Sequence, residues 1–339
     1  MRKGGTCADE QGFAVTSRRN ALGAFGALLA SIPLAGAQTA SRLPRIGIVH
    51  PASVEDSLVY KALLPGLVSR GYVNGRDIVL ELRSAFGKAE ALPALTADLV
   101  RAGVDLLLVV GPAATTVAVS ATKSVPIIAI DLESDPVQNG WMKSLSRPGG
   151  NVTGFFLDLT GMSAKWLQLL REAVPRARRI SLLWDAATGG AQLAATKAAA
   201  SAFAVDVQTI RLEDWADFES ALIGATRSGT QAFVVLSSPT AFQYSTKFAE
   251  FTQRHRIPAI SPFRPFAVAG GLMSYGPDLD LFFRRTAFTI ERIIKGANPA
   301  EVAVEQPTKY EFVINHATAR LLHLALPQSL LLRADEVIR

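Results

Sequence analysis

Short apolar runs alternate with amphipathic stretches from about residue 45 almost to the C-terminus. Residues 45–49 (RIGIV) and 105–110 (DLLLVV) are the nearly continuous apolar runs of strands buried on both faces. Residues 77–82, 126–130 and 152–156 complete a first set of predicted strands. Between them, residues 57–70, 89–101 and 113–122 read as helices; Leu92, Leu95 and Leu99 recur at helical spacing, and Pro65 predicts a kink in the first. Pro148-Gly149-Gly150 makes a turn before the last strand of this set. The rhythm then restarts. Helices are predicted over 165–174, 191–203, 215–228, 240–255 and 281–295, and strands over 180–184, 206–211, 232–236, 258–261 and 271–275. An αβ-like stretch, 310–324, closes the chain, and no short-period repeat is visible. Such alternation implies parallel sheets covered on both faces by helices. Two successive sets of about five strands therefore predict an α/β chain of two doubly wound parallel-sheet lobes.

The first 37 residues break this rhythm. Thr16-Ser17-Arg18-Arg19-Asn20 precedes an apolar, Gly/Ala-rich run over 21–34, and Ala35-Gly36-Ala37 follows. That order is a secretory signal peptide, cleaved after Ala37. Arg18-Arg19 resembles a twin-arginine signal, although Ala21 stands where that signal usually has Phe, so general secretion fits as well. A run of about 14 residues is too short for a membrane anchor. Cleavage also removes Cys7, the only cysteine, so the mature chain has no thiol chemistry. A soluble periplasmic protein is the expectation.

Composition narrows the function. At 49% hydrophobic and 19% charged residues, the 339-residue chain can fill two cores. The net charge of +6 falls to about +4 on cleavage. The basic residues are scattered, and the densest group, Arg176, Arg178 and Arg179, lies between a helix and a strand, which argues against a nucleic-acid partner. Dinucleotide-binding glycines, a phosphate-binding P-loop and a G-x-S-x-G nucleophile turn are all missing. His50, His255, His316 and His323 have no partner at metal-ligand spacing. The sequence thus names no catalytic residue, no metal site and no cofactor.

In open α/β sheets, ligands sit beyond the C-terminal ends of the strands, where helix N-termini point. In the first set those positions are His50, Ala52 and Ser53; Gly111, Pro112, Ala113 and Thr115; and Asp131. In the second they are Trp184 and Asp185, Ser237 and Ser238, and Phe263, with Tyr275 at the end of a further strand. Residues 111–116 would turn tightly into a helix, offering free N–H groups and the Thr115 hydroxyl to an anion. Asp131 would take an ammonium group, Trp184 and Phe263 would stack on a flat ligand, and Asp185 would orient it. Asp135, before Pro136, reads as a helix cap.

Several long motifs resemble one family. They are Leu92-Pro93-Ala94-Leu95 with Ala97-Asp98-Leu99-Val100, then Arg147-Pro148-Gly149-Gly150-Asn151-Val152-Thr153-Gly154, Gly270-Gly271-Leu272-Met273-Ser274-Tyr275-Gly276-Pro277, Val304-Glu305-Gln306-Pro307-Thr308-Lys309, and Arg333-Ala334-Asp335-Glu336-Val337-Ile338. The chain from residue 45 onward is similar to the ABC transporter substrate-binding proteins that include tryptophan- and tyrosine-binding receptors. The resemblance implies the type I periplasmic-binding-protein fold, with three crossovers near 155–160, 276–280 and 298–306. One lobe would comprise 43–156 plus 278–299, the other 157–277 plus 300–339. It further implies a monomeric receptor that closes on a small organic ligand, an aromatic amino acid or related carboxylate, and delivers it to an ABC permease. The sequence departs from the family at 184–188, where an Asn-Pro-rich segment is common, and at His50, where small or hydroxyl residues are common. Two other readings remain: an exported enzyme using His50, Asp131 or Asp185, and a ligand sensor for a membrane receptor.

Overall fold

The computed structural model describes residues 42–55, 57–157 and 160–339. The expected export segment, with Arg18, Arg19 and Cys7, lies outside the described residues.

The first lobe is a five-stranded parallel sheet: β1 (Arg45–His50), β2 (Val79–Ser84), β3 (Leu106–Val110), β4 (Ile127–Asp131) and β5 (Val152–Phe156), in the order β2-β1-β3-β4-β5. Alternate side chains of one strand enter different cores. Leu106 and Leu108 meet Phe282, Phe283 and Ile290, while Leu107 and Val109 meet Leu99, Ala114 and Ala118. This explains the unbroken apolar run, because neither face meets water. Each fully buried aliphatic side chain contributes about 1.5–3 kcal/mol. The helix expected over 57–70 starts as a wide π-type turn, Val59–Leu63, and tightens into the α-helix Leu64–Ser69. Pro65 sits where the two geometries meet, in the first turn of the α segment, where its missing N–H is tolerated.

The second lobe has seven strands rather than about five: β6 (Arg179–Asp185), β7 (Asp206–Leu212), β8 (Ala232–Val235), β9 (Ala259–Ser261), β10 (Met273–Pro277), β11 (Tyr310–Asn315) and β12 (Glu336–Ile338). Their order is β12-β11-β10-β9-β8-β6-β7, and β10 and β11 run antiparallel. The reversal follows from the chain path. After β10 the helix Leu279–Ile294 crosses to the first lobe and packs on the helix Leu64–Ser69, so the chain re-enters the second sheet from the opposite end.

Residues 300–305, expected in the second lobe, bond along the edge of the first sheet. The Glu305 N–H donates to the Gly154 carbonyl (2.9 Å), the Phe156 N–H to the Glu305 carbonyl (3.2 Å) and the Thr153 hydroxyl to the Val302 carbonyl (2.7 Å). The last crossing therefore lies over residues 306–309, just before β11. The family motifs acquire physical roles here. The Asn151 amide caps the Thr122 and Val125 carbonyls. Gly154 has φ +133°, and a Cβ there would lie 2.1 Å from the Ala129 carbonyl oxygen, so glycine lets β4 and β5 pair.

Candidate ligand-binding site

The C-terminal ends of β1, β3 and β4 face those of β6, β8 and β9, and three cavities lie between them. The first, about 40 Å³, is walled by Val110, Ile130 and Leu132 on one side and Phe242 and Phe263 on the other, with His50, Glu133, Ser237 and Ser238 as polar contributors. The second, about 440 Å³, lies between Pro112–Thr116 and residues 133–141 of the first lobe and residues 187–191 of the second. The third, about 30 Å³, is bordered by residues 111–113, Asp185, Trp215 and Pro239.

The lobes are bolted together across these cavities. The Ser53 N–H donates to the Gln243 side-chain oxygen (3.1 Å), and the Gln243 amide donates back to the Ser53 carbonyl. The Ser237 hydroxyl donates to the Glu133 carboxylate (2.5 Å). Gly111, at φ +79°, lies against the Pro239 ring; a Cβ there would come within 2.6 Å of it. These contacts define a closed cleft.

The electrostatics are unusual because the polar groups are dry. His50 is 3% exposed, and its Nδ1 accepts the Ala52 N–H (3.1 Å). That bond places the neutral ring's proton on Nε2, and the residue forms part of the wall of the first cavity. Burial lowers the His50 pKa from 6.5 to about 4, so the ring is a neutral donor at physiological pH. The Asp131 Oδ1 accepts the Glu133 and Ser134 N–H groups (3.1 and 3.0 Å), which folds the loop back on itself, while Oδ2 has no partner. Burial raises the Asp131 carboxyl above its ordinary value. Burial first, and then the Asp131 charge, raise Glu133 as well. Burial also raises Asp185, whose carboxylate accepts the Ala187 N–H (3.0 Å).

The structure places the expected residues unevenly. His50, Ser237, Ser238 and Phe263 meet at the first cavity. Gly111, Pro112, Ala113 and Asp185 line the third, and Pro112 and Ala113 also border the second. Ala52 and Ser53 act through their backbones, on His50 and Gln243. The Thr115 hydroxyl, expected to face the crevice, donates to the Gly111 carbonyl of its own helix (2.8 Å). Asp131 supports the loop from below and lines none of the three cavities. The Trp184 indole N–H donates to the Gly189 carbonyl, and Arg211 covers its ring at 5.0 Å. Tyr275 stacks on Tyr310, away from the cavities. Asp135 caps a turn, not a helix, by accepting the Val137 and Gln138 N–H groups. Sequence reasoning missed Glu133, Gln192, Phe242 and Gln243. The Gln192 side-chain oxygen accepts the Ser237 N–H (2.6 Å) and so aims the Ser237 loop at Glu133.

His50, Asp131 and Asp185 form no relay. Among the described residues no carboxylate bonds to His50, whose Nδ1 is already occupied by the Ala52 N–H.

The comparisons with known proteins agree with this architecture. The chain is 23% identical over 270 residues to the tyrosine-binding protein of Clostridioides difficile (strain R20291), covering 78% of this chain and 76% of that protein. A solved ABC domain in complex with L-Trp from Streptococcus pneumonia superposes with a TM-score of 0.76 at 25% identity, covering 87% of this chain and all of that one. A conserved domain protein from Vibrio cholerae superposes with a TM-score of 0.78 at 21% identity, again over 87% of this chain and all of that one. Residues 46–338 match the family model described as ABC transporter substrate binding protein, and the chain belongs to that family.

Proposed function

We propose that the protein is the exported receptor of an ABC importer, and that it binds a small organic molecule with an apolar or aromatic body between its lobes and passes it unchanged to the permease. The observation that carries this reading is the cleft: an apolar cavity whose rim bonds, Ser53–Gln243 and Glu133–Ser237, all join one lobe to the other. Ligand that adds contacts to both walls favours the closed arrangement over the open one by its difference in affinity for the two. The C. difficile relative named for tyrosine and the S. pneumonia structure holding L-Trp support an aromatic amino acid or a close analogue as ligand.

Export rests on residues 1–37, with Arg18-Arg19, the apolar run and the Ala35-Gly36-Ala37 cleavage site. Among the described residues, no helix is long and apolar enough to cross a membrane. The reading takes the protein as a monomer without a nucleic-acid partner.

The test is native mass spectrometry of the protein purified from its own host, followed by a thermal-shift screen of amino acids, aromatic acids, amines and sugars. A bound small molecule, recovered unchanged after incubation, is the expected result. Its conversion to product, or stability indifferent to every compound, would overturn the reading.

A further inference from the structure

The three cavities between the lobes differ in what they can hold. The first and third, about 40 and 30 Å³, admit a few waters each, whereas a single benzene ring occupies an apolar cavity of about 150 Å³. The phenylalanine-walled cavity therefore has no room for an aromatic ring. The second, about 440 Å³, lies within the range of about 300–1,000 Å³ usual for small-molecule sites, and its walls come from both lobes.

Among the described residues, Trp141 is the one aromatic side chain lining that larger cavity. The chain fixes it from behind. The Trp141 and Met142 N–H groups both donate to the Pro136 carbonyl (2.9 and 3.2 Å), and the indole leans on the buried Phe156 ring at 6.4 Å. Trp141 is still only half-buried, whereas Trp166, Trp184 and Trp215 are buried. The wall contributed by the other lobe, residues 187–191, carries no side chain larger than threonine. Groups at the end of β6 hold it in place. The Trp184 indole N–H donates to the Gly189 carbonyl (2.9 Å), the Asp185 carboxylate accepts the Ala187 N–H (3.0 Å), and the Thr188 hydroxyl donates to the Asp185 carbonyl (2.8 Å). Gly189 has φ +76°, which favours glycine. Gly190 has φ −96°, which any residue adopts, and a Cβ there would meet no atom within 4 Å. Neither the backbone nor packing demands a glycine at 190; its absent side chain leaves the wall bare.

Resting on the receptor reading above, we infer that the ligand's aromatic ring lies in the larger cavity, between the Trp141 indole and the bare wall at Gly189-Gly190, and that Trp141 makes the receptor choose aromatic over aliphatic amino acids. A ring stacked with an offset on the indole gains attraction beyond its buried area, which an aliphatic side chain does not. Ser134, Gln138 and Asn139 border the same cavity and offer polar groups to the rest of the ligand.

The test is calorimetry on the purified protein with L-tryptophan, L-tyrosine, L-phenylalanine and L-leucine, alongside tryptophan fluorescence with L-phenylalanine. The aromatic amino acids are expected to bind at least about tenfold more tightly than L-leucine. Trp141→Ala should erase that preference, and Trp141→Phe, which keeps a ring, should retain it. L-Phenylalanine has no indole emission, so the fluorescence change on its binding is the protein's own, and it should vanish in Trp141→Phe. Gly190→Leu fills the cavity from the other lobe without touching the packing of Trp141, and should weaken the aromatic ligands at least about tenfold. Circular dichroism checks that the variants are folded. L-Leucine binding as tightly as L-phenylalanine overturns the inference and leaves the receptor reading intact, and so does aromatic binding undiminished in Trp141→Ala or in Gly190→Leu. If none of the four amino acids binds the wild type, the inference falls, and the molecule found by native mass spectrometry decides the receptor reading separately.

Discussion

Between the strand ends, one cavity of about 40 Å³ is walled by Val110, Ile130, Phe242 and Phe283, and another of about 440 Å³ by Thr116, Ser134, Gln138 and Asn139. Glu133 belongs to both. The small one has room for only a few waters, each needing roughly 10–15 Å³. Its aromatic walls belong to the buried cores, with Phe263 edge-on to Phe242 at 5.3 Å. The large one is built from exposed loop residues such as Gln138 and Asn139. The contrast teaches that the walls of the apolar cavity are tied to the stability of the fold, whereas those of the polar cavity can vary with little cost to it. The carboxylate at their junction is where the two demands collide.

Substitutions can break that contrast. Phe263→Ala should have the largest effect, a loss of about 3–4 kcal/mol in urea denaturation, because it empties a 2% exposed ring position. Glu133→Gln should stabilise the ligand-free protein by about 2 kcal/mol near pH 8 by removing a buried acid. The sign follows from the raised carboxyl. Above its ordinary 4.5 the unfolded chain ionises first, so wild-type stability falls with rising pH until the folded carboxyl also ionises. The variant should lack that decline. His50 acts oppositely, because its lowered pKa costs stability as pH falls from 6.5 towards about 4. The comparison of wild type with Glu133→Gln across pH 5–8 cancels the His50 contribution. Gln243→Ala should cost about 1 kcal/mol and shift scattering profiles towards an open form, since it removes both bonds to Ser53. Asn139→Ala should change stability by less than about 0.5 kcal/mol. A loss at Asn139 as large as that at Phe263 would dissolve the division between the two cavities.

The fold was largely legible because neither face of the sheets meets water. Runs such as 106–110 announced buried strands whose helical partners could be placed between them. The antiparallel entry of β11 was not legible, since strand direction depends on which lobe the preceding helix joins. Nor was the attachment of residues 300–305 to β5, an extended segment whose pairing is made by backbone groups. At the site, strand-end reasoning found His50, Ser237, Ser238 and Phe263, because a strand's end fixes where the next residues go. It missed Glu133, which reaches the cleft only because Asp131 caps its N–H and turns the loop. Phe242 and Gln243 escaped for a related reason: they lie at the end of a one-turn helix, Pro239–Gln243, with no apolar periodicity to point to a cavity. Trp184 and Tyr275 stood at the expected strand ends, but nearby groups, Arg211 and Tyr310, took up their rings.

The crossing of the helix Leu279–Ile294 into the first lobe has a consequence for biosynthesis. Arg70 pairs with Glu291 across 221 positions of sequence, and Thr153 bonds Val302 across 149. A chain emerging from its N-terminus therefore lacks one wall of its first core until nearly all of it has been made. The second sheet waits longer still, for β11 and β12 at the very end. Closure of such distant contacts is slow compared with local helix formation. The nascent protein thus has an extended interval in which neither lobe can be completed.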